Sequence, residues 1–151
     1  MKITSIDTKG LVLITSFEGF KAQPYLCPAN VPTIGFGTTR YPDGTKVTLT
    51  DKPITELQAI DYLKYDVAKF ELDVDAFCID TITQNQFNAL VSFAYNLGSG
   101  ALKSSTLLKK VNANPSDVTI RNEFMKWVYA GKSKLVGLER RRKAEADMYF
   151  T

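Results

Sequence analysis

The chain has 151 residues, a hydrophobic content of 44% and a net charge of +3. This length predicts one domain, 1–151, large enough to fold without a metal ion or disulfide bonds, and the composition argues against disorder. The weak positive charge argues against a dedicated nucleic-acid binder, although it favours approach to anionic polymers such as cell walls, anionic lipids and nucleic acids.

The first predicted element is a helix near the N-terminus. Asp7 or Thr8 can cap it, its apolar residues recur at helical spacing, and Gly19 can end it. Glu18 then lies in the last helical turn. The apolar run inside this segment is too short for a signal sequence or a membrane anchor. We therefore expect a protein that has no signal peptide and no stable membrane anchor.

Residues 24–50 predict a small antiparallel sheet. Proline and glycine recur there between short β-prone pieces at 25–27, 33–37 and 46–49, and Asp43-Gly44 is a strong hairpin-turn signal. A long helix follows at about 53–77, with Pro53 in its first turn. The sheet-bearing lobe then covers about 10–52, and this helix connects it to a C-terminal lobe at about 78–151.

The C-terminal lobe reads as a helical bundle. Thr83 and Gln86 have the form of a capping box, and the helix that they begin ends at Gly98. Further helices are predicted at 105–111, from a cap at Ser116 to a stop at Gly131, and at 136–149. The last helix places Leu138, Arg141, Glu145 and Met148 on one stripe. The predicted fold class is α+β and mainly helical.

Glu18 is the first candidate for chemistry. Its neighbours Phe17 and Phe20 and the negative end of the helix all disfavour the charged form of a carboxylate. A carboxyl group that keeps its proton near neutrality can donate that proton to a leaving oxygen. An exposed glutamate at a helix end is the alternative interpretation.

The run Thr33-Ile-Gly-Phe-Gly is the second candidate. On a strand, Gly35 and Gly37 share the face of Thr33, and a strand without side chains lets a polymer approach the backbone closely. This pattern predicts a sugar-binding edge beside Glu18. A merely flexible hairpin is the alternative.

Together these residues resemble the phage-type lysozymes, glycoside hydrolase family 24. The order is Glu18-Gly, Tyr25, then Thr33-Ile-Gly-x-Gly, and Cys27 follows Glu18 by nine positions and precedes Thr33 by six. Those spacings match the family's catalytic triplet of Glu, Asp or Cys, and Thr. Three further segments match, at 86–98, 105–107 and 137–145, so the resemblance covers nearly the whole chain.

The resemblance implies a lysozyme-like fold of two lobes with a cleft between them. It also implies a muramidase that cuts the β-1,4 bond between N-acetylmuramic acid and N-acetylglucosamine in bacterial peptidoglycan. Family members often wait in the host cytoplasm until a holin opens the membrane, so we expect periplasmic action after permeabilisation. A monomer that needs no cofactor is also expected.

Cys27 stands where an aspartate is common. An aspartate is nearly all ionised at pH 7, whereas an ordinary thiol with a pKa of about 8.5 is only about 3% thiolate. Cys27 could help to activate a water held by Thr33, could attack the sugar directly, or could fill the position while Glu18 and Thr33 carry the reaction. Cys78 lies in an apolar stretch and is predicted to be part of the core.

The resemblance also predicts supporting residues. Tyr25 belongs to the matched motif. Asn96 lies where the family places a polar substrate contact, although it could simply end its helix. Arg141 could reach Glu18 and hold its side chain in place, although a solvated basic face is the alternative for the residues 140–142.

Other functional classes remain to be weighed. The absence of histidine argues against Cys-His peptidases, Cys-His amidases and zinc amidases that use histidine ligands, and no metal-binding cluster is visible. A lytic transglycosylase needs only one catalytic glutamate and is the closest alternative enzyme. A non-catalytic cell-wall-binding protein is the alternative from another class.

Overall fold

The computed structural model describes residues 2–79 and 82–151. The elements, in chain order, are α1 (Thr8–Glu18), β1 (Lys21–Leu26), β2 (Pro32–Gly35), α2 (Glu56–Phe77), α3 (Gln84–Leu97), α4 (Ser99–Ser104), α5 (Thr106–Ala113), α6 (Ile120–Phe124), β3 (Tyr129–Ala130), β4 (Ser133–Lys134) and α7 (Val136–Tyr149). The predicted class, α+β and mainly helical with a small antiparallel sheet, is confirmed.

Two helix starts follow local hydrogen-bonding signals. The carboxylate of Asp7 accepts a bond from the backbone N–H of Gly10 at 3.1 Å, which caps α1. Thr83 and Gln86 form the predicted capping box at the start of α3, and Gly98 ends that helix. Both predictions are therefore confirmed.

The long helix α2 begins later than predicted. Thr55 caps it, because its hydroxyl accepts a bond from the N–H of Gln58 at 3.1 Å while the Gln58 side chain accepts one from the N–H of Thr55 at 2.9 Å. This reciprocal pair begins the helix at Glu56 and leaves Pro53 outside it. The placement of Pro53 in the first turn was wrong.

The segment after α5 differs most from the prediction. Helix α6 ends at Phe124, and the chain then forms the antiparallel hairpin of β3 and β4 around Gly131, which has a φ of 62°. Ser116 does not cap α6; instead the carboxylate of Asp117 accepts the N–H of Thr119 at 2.9 Å. The short helix α4 was not predicted either.

The chain divides into two compact units, and the two points of division fall within α1 and within α2. Residues Ile14–Lys69 form the first, called the sheet unit here; the residues up to Leu13 and from Phe70 onward form the second, the helical unit. The limits of the three segments at 10–52, 53–77 and 78–151 stay predictions.

Each unit has its own apolar core. In the sheet unit, Ile34 and Phe36 are buried with apolar residues of α2, namely Ala59, Leu63 and Val67. In the helical unit, Phe93 of α3 packs edge-on against Phe124 at 5.9 Å and Trp127 at 5.4 Å between ring centroids. Within the described residues, no helix is both long enough and apolar enough to cross a bilayer.

Candidate active site

Glu18 is the last residue of α1, as predicted, and its side chain is half-buried. The helix ends there because Gly19 adopts a φ of 70°, and its N–H reaches the carbonyl of Thr15 at 3.2 Å. Phe20 is partly exposed and packs against Phe36, with ring centroids 5.6 Å apart. The carboxyl group therefore stands at a helix C-terminus with partial access to solvent.

Cys27 begins the turn that joins β1 to β2. The N–H of Cys27 donates to the carbonyl of Val31 at 3.1 Å, and the N–H of Asn30 donates to the carbonyl of Cys27 at 2.8 Å. Asn30 closes the turn with a φ of 64°, a conformation that asparagine tolerates better than most residues. The turn fixes the backbone on both sides of the thiol, which is partly exposed.

The turn also supplies what the sequence did not reveal, a cause for a more acidic thiol. A hydrogen bond from the backbone N–H of Val31 holds the pKa of the Cys27 thiol below its ordinary value. A hydrogen bond from the hydroxyl of Thr33 lowers this pKa further, by a smaller amount. Both groups stabilise the thiolate and neither carries a charge. The contribution of Val31 was missed because it comes from the backbone.

Thr33 lies in β2 directly opposite Tyr25 of β1. Its side chain is buried, and its hydroxyl donates to the carbonyl of Val31 at 2.8 Å. One hydroxyl carries one proton, so Thr33 donates either to this carbonyl or to the sulfur of Cys27. In either state the oxygen of Thr33 can accept a hydrogen bond, and the two states differ in whether the thiolate receives the proton of Thr33.

The pKa of Tyr25 responds to two of the candidate residues. Burial raises the pKa of its phenol, and the negative charges of Cys27 and Glu18 raise it further. Both anions are therefore near enough to Tyr25 to be felt at its hydroxyl. The structure brings Cys27 and Thr33 together at Val31 and pairs Thr33 with Tyr25, all in the same unit as Glu18.

The two glycines do not form the predicted edge. Strand β2 ends at Gly35, which has a φ of 67°, and Gly37 lies in the turn that follows. Gly35 is buried, and a Cβ placed on it would lie 3.1 Å from the Cβ of Ala59 in α2. The prediction that both glycines alternate along one open strand was wrong, because Gly35 is needed for a left-handed bend against α2. A substrate contact at Gly37 stays a prediction.

Asn96 and Arg141 lie in the helical unit, in a buried polar cluster. The Oδ1 atom of Asn96 accepts a bond of 2.6 Å from Nη2 of Arg142, so the amide NH₂ group is the end left for a ligand. Arg141 is buried, and its Nη2 donates to the carbonyl of Ser92 at 3.3 Å. A substrate contact at Asn96 and a pairing of Arg141 with Glu18 stay predictions.

Glu145 is the anion of that cluster. Its Oε1 lies 2.8 Å from Nε of Arg142, and its Oε2 accepts the hydroxyl of Ser92 at 2.6 Å and lies 3.3 Å from Nε of Arg141. Burial raises the pKa of Glu145 and lowers that of Arg142, while their contact opposes both shifts. Of the predicted stripe on α7, Arg141 and Glu145 are buried, whereas Leu138 and Met148 are only half-buried. Arg142 is fully buried although the sequence did not place it on that stripe.

Other titratable groups lie outside the candidate site. Cys78 is buried in the core, as predicted, and burial raises the pKa of its thiol to about 11. Among residues 2–79 and 82–151, no group of three or more His, Cys, Asp or Glu side chains is arranged to hold a metal ion.

The fold is that of known phage proteins. The structure matches an endolysin from Escherichia coli O157:H7 phage FAHEc1 with a TM-score of 0.88 and 40% identity, covering 96% of this chain and 92% of that one. A model of the phage lysozyme family matches residues 15–145. The chain therefore belongs to the phage lysozyme family.

Two endolysins are similar in sequence. The endolysin of Bacillus phage B103 is 40% identical over 147 residues, which cover 97% of this chain but only 54% of that protein. The endolysin of Acyrthosiphon pisum secondary endosymbiont phage 1 is 36% identical over 148 residues, which cover 95% of this chain and 97% of that protein. The chain thus spans about half of the first relative and nearly all of the second.

Proposed function

We propose that the protein is an endolysin that hydrolyses the β-1,4 bond between N-acetylmuramic acid and N-acetylglucosamine in bacterial peptidoglycan and so lyses the host cell. The observation that carries this proposal is that Cys27 and Thr33 both bond to Val31 while Glu18 ends α1 in the same unit, as the family's order of Glu, Cys and Thr requires. Membership of the phage lysozyme family supports the same reaction.

In this proposal Glu18 is the general acid. Its carboxyl group donates a proton to the glycosidic oxygen as the bond to the sugar carbon breaks, and positive charge develops on the ring. After the step Glu18 is a carboxylate and the leaving sugar carries the hydroxyl.

Cys27 and Thr33 bind and deprotonate the water molecule that attacks the sugar carbon. When the Thr33 hydroxyl donates to the carbonyl of Val31, its oxygen can accept a hydrogen bond from a water molecule. The Cys27 thiolate then accepts the other proton of that water while the water oxygen bonds to the sugar carbon. The lowered pKa of Cys27 supports a base over a mere spacer, because it raises the thiolate fraction near neutral pH.

Purified sacculi test the proposal. Glu18→Gln should abolish the release of reducing ends, whereas Glu56→Gln, which neutralises an exposed carboxylate of the same unit, should release them at the wild-type rate. Equal activity of Glu18→Gln and wild type would refute the role of Glu18. Anhydro-sugar products would indicate a lytic transglycosylase, and binding without any cleavage would indicate a wall-binding protein. Holin-dependent access, periplasmic action and a monomeric state stay predictions.

A further inference from the structure

A groove of about 280 Å³ adjoins the turn that holds Cys27 and Thr33. Asn30 and Val31 of that turn form one wall, and Arg40, Lys46 and Val47 of the following hairpin form the other; this is called the basic groove. Val31 is shared with the candidate active site, because its N–H bonds to the sulfur of Cys27 and its carbonyl accepts the hydroxyl of Thr33. All of these residues lie within the sheet unit.

The two cations of the groove face each other across the hairpin. Arg40 and Lys46 form an antiparallel bridge flanked by two 2.9 Å bonds, from the N–H of Tyr41 to Thr45 and from the N–H of Val47 to Thr39. This pattern makes Arg40 and Lys46 a non-hydrogen-bonded pair, the kind in which opposing side chains come closest on one face. Like charges at such a pair are destabilising.

The nearby carboxylates accept hydrogen bonds from other groups. Asp43 accepts the N–H and hydroxyl of Thr45 at 2.9 and 2.7 Å, and Asp51 accepts the hydroxyl of Tyr41 at 2.7 Å. Arg40 donates from Nη1 to the carbonyl of Gly44 at 3.1 Å, which orients the guanidinium but leaves its charge. Within the described part of the chain, neither Arg40 nor Lys46 forms an ion pair with a carboxylate. The hairpin thus keeps two close positive charges beside a groove.

We propose that the basic groove binds a carboxylate of the peptide stems attached to the glycan of peptidoglycan. The inference rests on the proposed function, which supplies a substrate whose sugar backbone carries acidic peptides. Guanidinium and ammonium groups on one face form charge-assisted hydrogen bonds with such a carboxylate. Because Val31 belongs to both sites, a stem attached to a sugar at Cys27 and Thr33 has only a short distance to cover. The groove would give the enzyme a preference for peptide-bearing strands.

The test compares sacculi with glycan strands freed of peptide by an amidase, at low ionic strength. Arg40→Gln and Lys46→Gln should each raise KM for peptide-bearing strands by roughly twofold to fivefold, the range for one exposed ion pair, and should change KM for stripped strands much less. Lys64→Gln removes an exposed charge from α2, away from the groove, and should change neither KM. The groove variants should unfold at the wild-type temperature or higher, because the like-charge repulsion is relieved.

Binding of the free wall tetrapeptide gives a second readout that needs no catalysis. The backbone amide signals of Val31 and Lys46 should shift with the tetrapeptide and return as salt is added. Equal changes of KM on both substrates, or none on either, would overturn the proposal, as would shifts with inorganic phosphate but none with the tetrapeptide. If wild-type protein cuts neither substrate, the proposed function fails, and the tetrapeptide titration still decides whether the groove binds carboxylates.

Discussion

Arg142 donates a 2.6 Å hydrogen bond to Asn96 while its Nε lies 2.8 Å from Glu145, so one buried guanidinium connects the end of α3 to an anion on its own helix. Both ion-pair partners have no exposed side-chain surface. A charged group this deep is stable only while its partner remains. The stability of the helical unit should therefore depend strongly on Arg142.

Arg142→Leu should lower the free energy of unfolding by about 3 kcal/mol, the lower end of the range for breaking a buried ion pair, because Arg141 still contacts Glu145. Arg140→Leu alters an exposed arginine one position before Arg141. This variant should change the free energy of unfolding by less than about 0.5 kcal/mol. Urea unfolding followed by circular dichroism measures both. Similar values for the two variants would show that the buried pair adds nothing.

Cys27→Asp should keep activity, and Cys27→Ser should lose most of it, because a hydroxyl does not ionise at working pH. The wild-type rate should fall as the pH drops through the pKa of the thiol, which hydrogen bonds from Val31 and Thr33 hold below its usual value. We expect Cys27→Asp to extend activity to lower pH, because an aspartate ordinarily ionises near a pKa of about 3.9. Rate profiles on sacculi between acid and neutral pH check this, and equal rates for wild type and Cys27→Ser would rule out a thiolate base.

Thr33→Val should raise the pKa of Cys27, because the thiolate loses one of the hydrogen bonds that stabilise it. Thr33→Ser keeps the hydroxyl and should leave this pKa near the wild-type value. Ultraviolet absorbance of the thiolate during a pH titration measures it, and Cys78 does not interfere because its thiol ionises near pH 11. An unchanged titration of Thr33→Val would mean that backbone N–H groups, Val31 first among them, account for the effect without the hydroxyl.

Gly35→Ala should destabilise the protein for two reasons, its φ of 67° and the 3.1 Å approach of the new Cβ to Ala59. Gly131→Ala introduces the same strain at a φ of 62°, but nothing lies within 4 Å of its Cβ. We expect a loss of about 1 to 2 kcal/mol for Gly131→Ala from backbone strain alone and a larger loss for Gly35→Ala. Thermal unfolding compares them. The double variant Gly35→Ala with Ala59→Gly should lose less stability than the sum of the two single losses, and a simple sum would contradict the packing argument.

Sequence reasoning succeeded where the cause is local. Asp7, Thr83 and Gly19 predict helix ends because their hydrogen bonds and backbone angles involve residues at most four positions away. Sequence reasoning failed where burial, or packing against a residue far away in the chain, determines the conformation. Gly35 bends because α2 lies against it, and Arg142 is buried because Glu145 and Asn96 accept its donors. The hairpin at Gly131 escaped notice because its strands contain only two residues each.

The proximity of Cys27 and Thr33 followed from motif spacing, but the reason for a usable thiolate did not. That reason is a backbone N–H of Val31, whose direction depends on the turn and not on the identity of the residue. A sequence reveals such a donor only when the turn itself is recognised, and here Pro28 and Asn30 were the available signals.

The contrast between the two thiols has a practical consequence. Cys27 is acidic and partly exposed, whereas Cys78 is buried and holds its proton to high pH. A maleimide dye added at neutral pH should therefore attach at one position only. Cys27 of the native chain can therefore be labelled with a fluorescent reporter beside the site. No cysteine has to be introduced, and Cys78 does not have to be removed.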